Sequence, residues 1–307
     1  MELMDFTMKK YDKHNLYWNN PGEVAEWVKK SDTIMLPLGS VEQHGPYVPI
    51  SMDCLSTEVI TAKLAELTDI PYFPQFYPGY TPYHVWPVGV PKGSVSLRYT
   101  TYMDVVYELC RCLIHNGFNK ILIPTGHTGN LWPIDVVMRR VRMETGAFVG
   151  CLRVETEIFA LIKELNDLCE DDPSDFPWKH AAEAECSACY LYDPELVDQT
   201  KLCKGIPHNP DWLPECFSMG DGQPSQVHFR NYSCLNHGSL LRTPTNFHEF
   251  TAGGPGHAGS PYHASEEKGK LIYTKLCEIM ADMIEEIKKM DIKVHNRDWQ
   301  TEMTSWK

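Results

Sequence analysis

The chain has 307 residues, 43% of them hydrophobic, with a formal net charge of -13 at neutral pH. That length supports one large α/β domain with a full core, while the acidic balance argues against nucleic acid or an anionic membrane surface as a partner, since both call for clustered Lys and Arg. No apolar run approaches the roughly 20 residues of a membrane span, and the N-terminal MELMDFTMKKYDKHN has no apolar signal-peptide core, so a cytoplasmic protein acting on a small molecule is expected.

Pro21 suits the first turn of a helix over 22–30, which feeds a strand at 33–38. The stretch 36–53, LPLGSVEQHGPYVPISMD, breaks at Gly39 into a loop that carries Glu42, His44 and Asp53. Glu42 and His44 are two apart and so share one side of an extended segment, and Asp53 or Ser56 stands near the start of a helix over 55–67. After a short strand at 72–75, residues 76–99 are rich in Pro, Gly and aromatics and form a loop too long for a mere connection. It is read as a pocket wall, with Tyr83, His84 and Trp86, and later Trp178, as candidate substrate-binding residues; core packing accounts for these aromatics equally well.

A helix over 100–116, stopped by Gly117, leads into a strand at 119–124 and then the loop Gly126-His-Thr-Gly-Asn130. A helix over 131–144, a strand at 147–153 and a helix over 156–169 follow, then an acidic loop, and the segment His180-Ala-Ala-Glu-Ala-Glu185 opens a helix that runs to residue 192. This alternation predicts a three-layer α/β/α sandwich with a mostly parallel central sheet. Residues 200–262 show no period and are read as an irregular insertion in a single domain spanning 1–307, closed by a helix over 264–290. Within the insertion, 254–259 match GxGxxG by letter, but no apolar strand precedes them, so the match carries no weight. Eleven cysteines, an odd number, fit reduced thiols, and the lone CxxC of Cys186 and Cys189 reads as small core residues on one helix face.

Carboxylates and imidazoles in three loop clusters are hard and borderline ligands suited to Zn²⁺, Mn²⁺ or Fe²⁺. Six further histidines, 208, 228, 237, 248, 257 and 263, have irregular spacing that fits surface or insertion-specific roles. The segments 36–53, 77–97, 116–130, 180–187 and 260–270, taken in order, resemble the creatininase (creatinine amidohydrolase) family of metal-dependent hydrolases. The resemblance implies a site for two divalent metal ions, with Asp53 bridging, Glu42 and His127 on one ion and His44 on the other, and His180 as the catalytic proton shuttle. It also implies a ring-shaped homo-oligomer, a hexamer. Where creatininase itself has a metal-binding glutamate this chain has Gly129, and Glu183 is the candidate for the missing acid. The expected reaction is hydrolysis of a small cyclic amide or formamide; cleavage of a carbon–carbon bond beside a ketone in a diketo-cyclitol, or a non-enzymatic metal-binding scaffold, are the alternatives.

Overall fold

The computed structural model describes residues 2–85, 92–155, 162–170, 180–206 and 256–298. Helix α1 (Pro21–Lys30) starts at the predicted proline, where the Asn20 side chain accepts from the Gly22 and Glu23 amides and Glu23 reaches back to the Asn20 amide. In chain order there follow β1 (Thr33–Met35), α2 (Met52–Thr68), α3 (Tyr99–His115), β2 (Lys120–Thr125), α4 (Leu131–Thr145), β3 (Phe148–Arg153), a single turn α5 (Lys163–Asn166), α6 (Glu183–Tyr192) and α7 (Glu266–Lys288).

The three strands are parallel in the order β1-β2-β3, with Thr33 opposite Lys120 and Lys120 opposite Phe148. Proline shortens two predicted strands. Leu36 and Leu38 still donate to the carbonyls of Leu122 and Pro124, but Pro37 between them has no N–H to offer. Residues 72–76, set among Pro71, Pro74 and Pro78, run beside β1 only as isolated parallel bridges of Tyr72 to Met35 and Phe76 to Leu38.

Side chains alternate across this sheet. Met35, Leu122 and Leu152 join a core with α2, α6 and α7, whereas Ile34, Ile121 and Ile123 join a second core with α3 and α4. Two cores on opposite faces make the three-layer α/β/α arrangement. Helix α2 is buried on nearly every side, and its threonines tolerate this because Thr57, Thr61 and Thr68 donate to the carbonyls four residues back at 2.6, 2.6 and 2.7 Å. Cys186 and Cys189 are free thiols buried in α6, as core packing requires.

Part of the helix expected over 156–169, and Trp86, Trp178 and the histidines at 208, 228, 237 and 248, lie outside the described residues. The two ends of the irregular stretch meet: Gly205 and Gly259 exchange a pair of 2.9 Å hydrogen bonds, and His180 and Ala258 exchange another at 2.9 and 3.0 Å. No helix among the described residues is long and apolar enough to cross a membrane.

Gly117, the predicted stop of α3, has φ +118°, and a Cβ there would come 2.6 Å from Cγ1 of Val28 on α1. An L side chain meets both a forbidden backbone region and a packed neighbour. Gly117→Ala should therefore lower unfolding stability by about 1–3 kcal/mol; a urea midpoint equal to wild type contradicts this account of the turn.

Candidate metal centre

The site is assembled at the carboxyl edge of the parallel sheet, where an α/β fold opens a crevice. Glu42 and His44 stand on the loop leaving β1, Asp53 in the first turn of α2, and His127 directly after β2. His180 precedes α6 and Glu185 lies in its first turn, while His84 ends the short 3₁₀ turn Pro82–His84. Glu42, His44, Asp53, His84, His127 and Glu185 are all buried.

Asp53 is central. Its Oδ1 lies 3.2 Å from Nε2 of His44 and its Oδ2 lies 3.2 Å from Nδ1 of His127. Oε2 of Glu42 is also 3.2 Å from Nδ1 of His127, and Oε2 of Glu185 is 3.8 Å from Nε2 of His44. The other nitrogen of each imidazole is engaged by the main chain: Nδ1 of His44 donates to the Glu42 carbonyl and Nε2 of His127 to the Tyr80 carbonyl, both at 3.1 Å. These carbonyls orient the rings and leave Nε2 of His44 and Nδ1 of His127 turned to the carboxylates, the usual support for a metal-binding histidine. Thr81 donates its hydroxyl to Glu42 from behind.

The charges are strongly coupled to burial. Burial pulls the His44 imidazole down, but Asp53, Glu185 and Glu42 outweigh it and drive its pKa up to about 10. Burial likewise opposes the charge on His127, and Glu42 and Asp53 overcome it and hold the ring well above its usual range. Glu42 would be raised by burial, yet His127 and His84 keep it well below the ordinary carboxylate range. Burial pushes Glu185 up to about 7, against the pull of His44.

These residues fit divalent cations. Three sets of facing ligand atoms occur among the described residues: Glu42, Asp53 and His127; His44, His180 and Glu185; and Glu42, His84 and His180. Nε2 of His44 and Oδ2 of Asp53 are buried and have no hydrogen-bond partner among the described residues, although each faces a group of opposite charge, which is the arrangement a shared cation satisfies. Oxygen and imidazole donors suit Zn²⁺, Mn²⁺ or Fe²⁺.

His180 occupies a different position. Its Nε2 lies 2.7 Å from the Gln43 carbonyl, and its ring packs against His44 and His84 at centroid distances of 4.1 and 4.7 Å. Nδ1 faces the cluster, 3.8 Å from Glu42. Burial, reinforced by the neighbouring His44 and His84, holds the ring well below its usual pKa. His84, expected to contact substrate, sits against the cluster itself, 3.8 Å from Glu42 through Nε2.

The structure places Glu183 elsewhere. Its carboxylate accepts from the Glu170 amide at 2.8 Å and pairs with Lys268 of α7 at 3.2 Å. Residues two apart on a helix point about 200° away from each other, so Glu183 and Glu185 face opposite sides of α6 and the acid beside His44 is Glu185. The turn that aims it is strained: Ala181 has φ +58°, held by the Tyr47 hydroxyl on its carbonyl and by Glu185 on its amide, both at 2.5 Å. Gly129 cannot serve as an acid position without rearrangement, because a Cβ there would collide with Nε2 of His127 and with the Tyr80 carbonyl. Thr81, Gln43 and Glu155 escape the sequence reading as well. For Glu155 its place directly after a predicted strand, like that of His127, is the available signal.

Metal content separates the two acids. Asp53→Ala should lose bound metal, and Glu185→Gln should lower metal content; Glu183→Gln should keep wild-type metal content and lose about 1–3 kcal/mol of stability through its Lys268 and Glu170 contacts. Loss of metal in Glu183→Gln with wild-type content in Glu185→Gln would reverse the assignment.

The sequence model of the creatininase (creatinine amidohydrolase) family matches residues 19–284. Among individual proteins, the chain is 24% identical to the 3-dehydro-scyllo-inosose hydrolase of Thermotoga maritima over 86% of its own length and 80% of that protein. It is also 24% identical to the creatinine amidohydrolase of Pseudomonas putida, over 82% and 88% of the two chains. Among solved structures, that described as "Creatininase Mn" superposes with a TM-score of 0.67 at 23% identity, covering 91% of this chain and all of the other. A mutant creatininase described as "Zn-Zn type" superposes at 0.66 with the same identity and coverage. Fold, carboxylate–imidazole cluster and a family match across most of the chain agree: this protein belongs to the creatininase family of metal-dependent hydrolases.

Proposed function

We propose that the chain uses a binuclear metal centre to direct water at the carbonyl of a small cyclic amide or formamide. The observation that carries this is Asp53, whose two oxygens face His44 and His127 at equal 3.2 Å distances. Asp53 would be shared by two cations, with Glu42 and His127 holding one and His44 and Glu185 the other. Cations held there polarise a carbonyl and bring the pKa of water toward neutrality.

The protein's own proton carrier is His180. Its Nε2 donates to the Gln43 carbonyl, which leaves the Nδ1 lone pair facing the cluster, and the depressed pKa keeps the ring neutral and able to accept. Nδ1 takes a proton from water as the oxygen bonds to the carbonyl carbon, and returns it to the leaving nitrogen as the C–N bond breaks. A non-enzymatic scaffold has no use for a neutral imidazole in that place. Similarity to the 3-dehydro-scyllo-inosose hydrolase over most of the chain supports a second reading, in which the same proton goes to carbon as a C–C bond beside a ketone breaks. Gly129 and the crowding around it favour a substrate other than creatinine.

His180→Ala should retain its metal yet lose turnover by about 10²–10⁴-fold. The assay offers lactams, formamides, keto-cyclitols and creatinine in parallel to wild type and variant, with metal content measured on both. Unchanged turnover in the variant overturns the mechanism, and rapid creatinine opening by wild type overturns the substrate assignment. The same proposal includes a cytoplasmic enzyme working as a homo-oligomer, a hexamer. Sedimentation at micromolar concentration should show a species well above the 35.2 kDa chain; a monomer alone refutes it.

A further inference from the structure

The pairing of β3 with β2 ends at Thr125 opposite Arg153, where Val154 donates to the Thr125 carbonyl at 3.0 Å. Glu155 and His127 each follow that last pair by two residues, which puts both at the carboxyl edge of the sheet. Neighbouring parallel strands lie about 4.8 Å apart, so Glu155 leaves β3 beside the point where His127 leaves β2. The charge on His127 acts on it there.

Glu155 is only 2% exposed. The Arg153 guanidinium engages its Oε1, with Nε at 2.5 Å, while its Oε2 is buried without a hydrogen-bond partner among the described residues. Buried polar atoms in native proteins are nearly always satisfied, and an exception calls for an explanation. Cations answer the orphaned atoms of His44 and Asp53, but Glu155 belongs to none of the three ligand sets. A purely structural ion pair with Arg153, whose side chain is 37% exposed, gives no reason to bury the second oxygen dry.

We infer that Oε2 of Glu155 is a substrate-recognition atom, accepting a hydrogen bond from an N–H or O–H that the substrate carries beside the carbonyl under attack. The inference rests on the proposed hydrolase function and narrows its substrate class. A ring N–H of a cyclic amide and a hydroxyl of a keto-cyclitol offer the same donor, whereas an N-substituted lactam or an unsubstituted cyclic ketone offers none. Burial pushes the carboxyl up to about 7 and Arg153 opposes that rise, so the accepting, ionised form is present above neutrality.

The test compares metal-loaded wild type, Glu155→Gln and Glu155→Leu at pH 8, on N–H and N-methyl lactams and on 3-dehydro-scyllo-inosose and the hydroxyl-free diketone 2,2-dimethylcyclohexane-1,3-dione. Metal content should be unchanged, and KM for donor-bearing substrates should rise about 10- to 100-fold, the worth of a hydrogen bond to a charged group, with kcat altered far less. Wild type should discriminate against the donor-free partner of each pair, and the pair that shows it identifies the donor as amide or hydroxyl. Thermal unfolding should leave Glu155→Leu at or above wild type, because an unsatisfied buried oxygen is removed and Arg153 remains hydrated. An unchanged KM, or a lowered Tm accompanied by loss of metal, overturns the inference. If wild type turns over none of the panel, the proposed function fails by itself, and the Tm comparison still decides whether Glu155 is a structural partner of Arg153 or an atom held for a ligand.

Discussion

Everything at the carboxyl edge of this sheet depends on burying Asp53 between other acids. Glu42 and Glu185 approach the same histidines from either side, and carboxylates out of water repel one another far more strongly than in solution. Two imidazoles supply part of the compensating charge, which is why their pKa values are driven upward. Such a cluster is tenable only if positive charge is held among the acids, and divalent cations are the compact way to supply it. The chain meets the demand by bringing the end of β1, the start of α2, the end of β2 and the start of α6 to one place, a convergence that parallel strands with helical crossovers make possible.

Around that centre, main-chain groups do the aiming. The carbonyls of Glu42 and Tyr80 fix the rings of His44 and His127, and the carbonyl of Gln43 fixes His180. Because backbone atoms of the β1 loop and of the segment after residue 76 are the partners, the loops carrying little secondary structure are as much a part of the site as the residues that face it. Gly129 follows from the same geometry: the approach of His127 to the Tyr80 carbonyl leaves no room for a side chain.

Much of this is legible in the residue order. Apolar runs ending in His- or Glu-bearing loops put Glu42, His44 and His127 just past strand ends, where the structure has them, since burial on both faces makes a parallel strand read as a continuous apolar run. The two-core sandwich follows from the alternation of such runs with amphipathic helices. What escapes are decisions made by rotation and by main-chain geometry. Choosing between Glu183 and Glu185 requires knowing which side of α6 faces α7 and Lys268, and a ten-residue helix buried on nearly all sides has no polar stripe to tell. Glu155 escapes for a related reason: one acid after a strand looks like any solvated loop residue until its burial is known.

The paired glycines at 205 and 259 have a consequence for how such enzymes diversify. Together with the bridge from Ala258 to His180, they tether both ends of a long stretch of chain immediately beside that histidine. The entropy of closing a loop grows only with the logarithm of its length, so once the tether is in place, residues between its ends can be added, lost or exchanged with little penalty to the fold. The tethered stretch can therefore change while the residues around His180 keep their places, as a frame holds its shape around whichever panel is fitted into it.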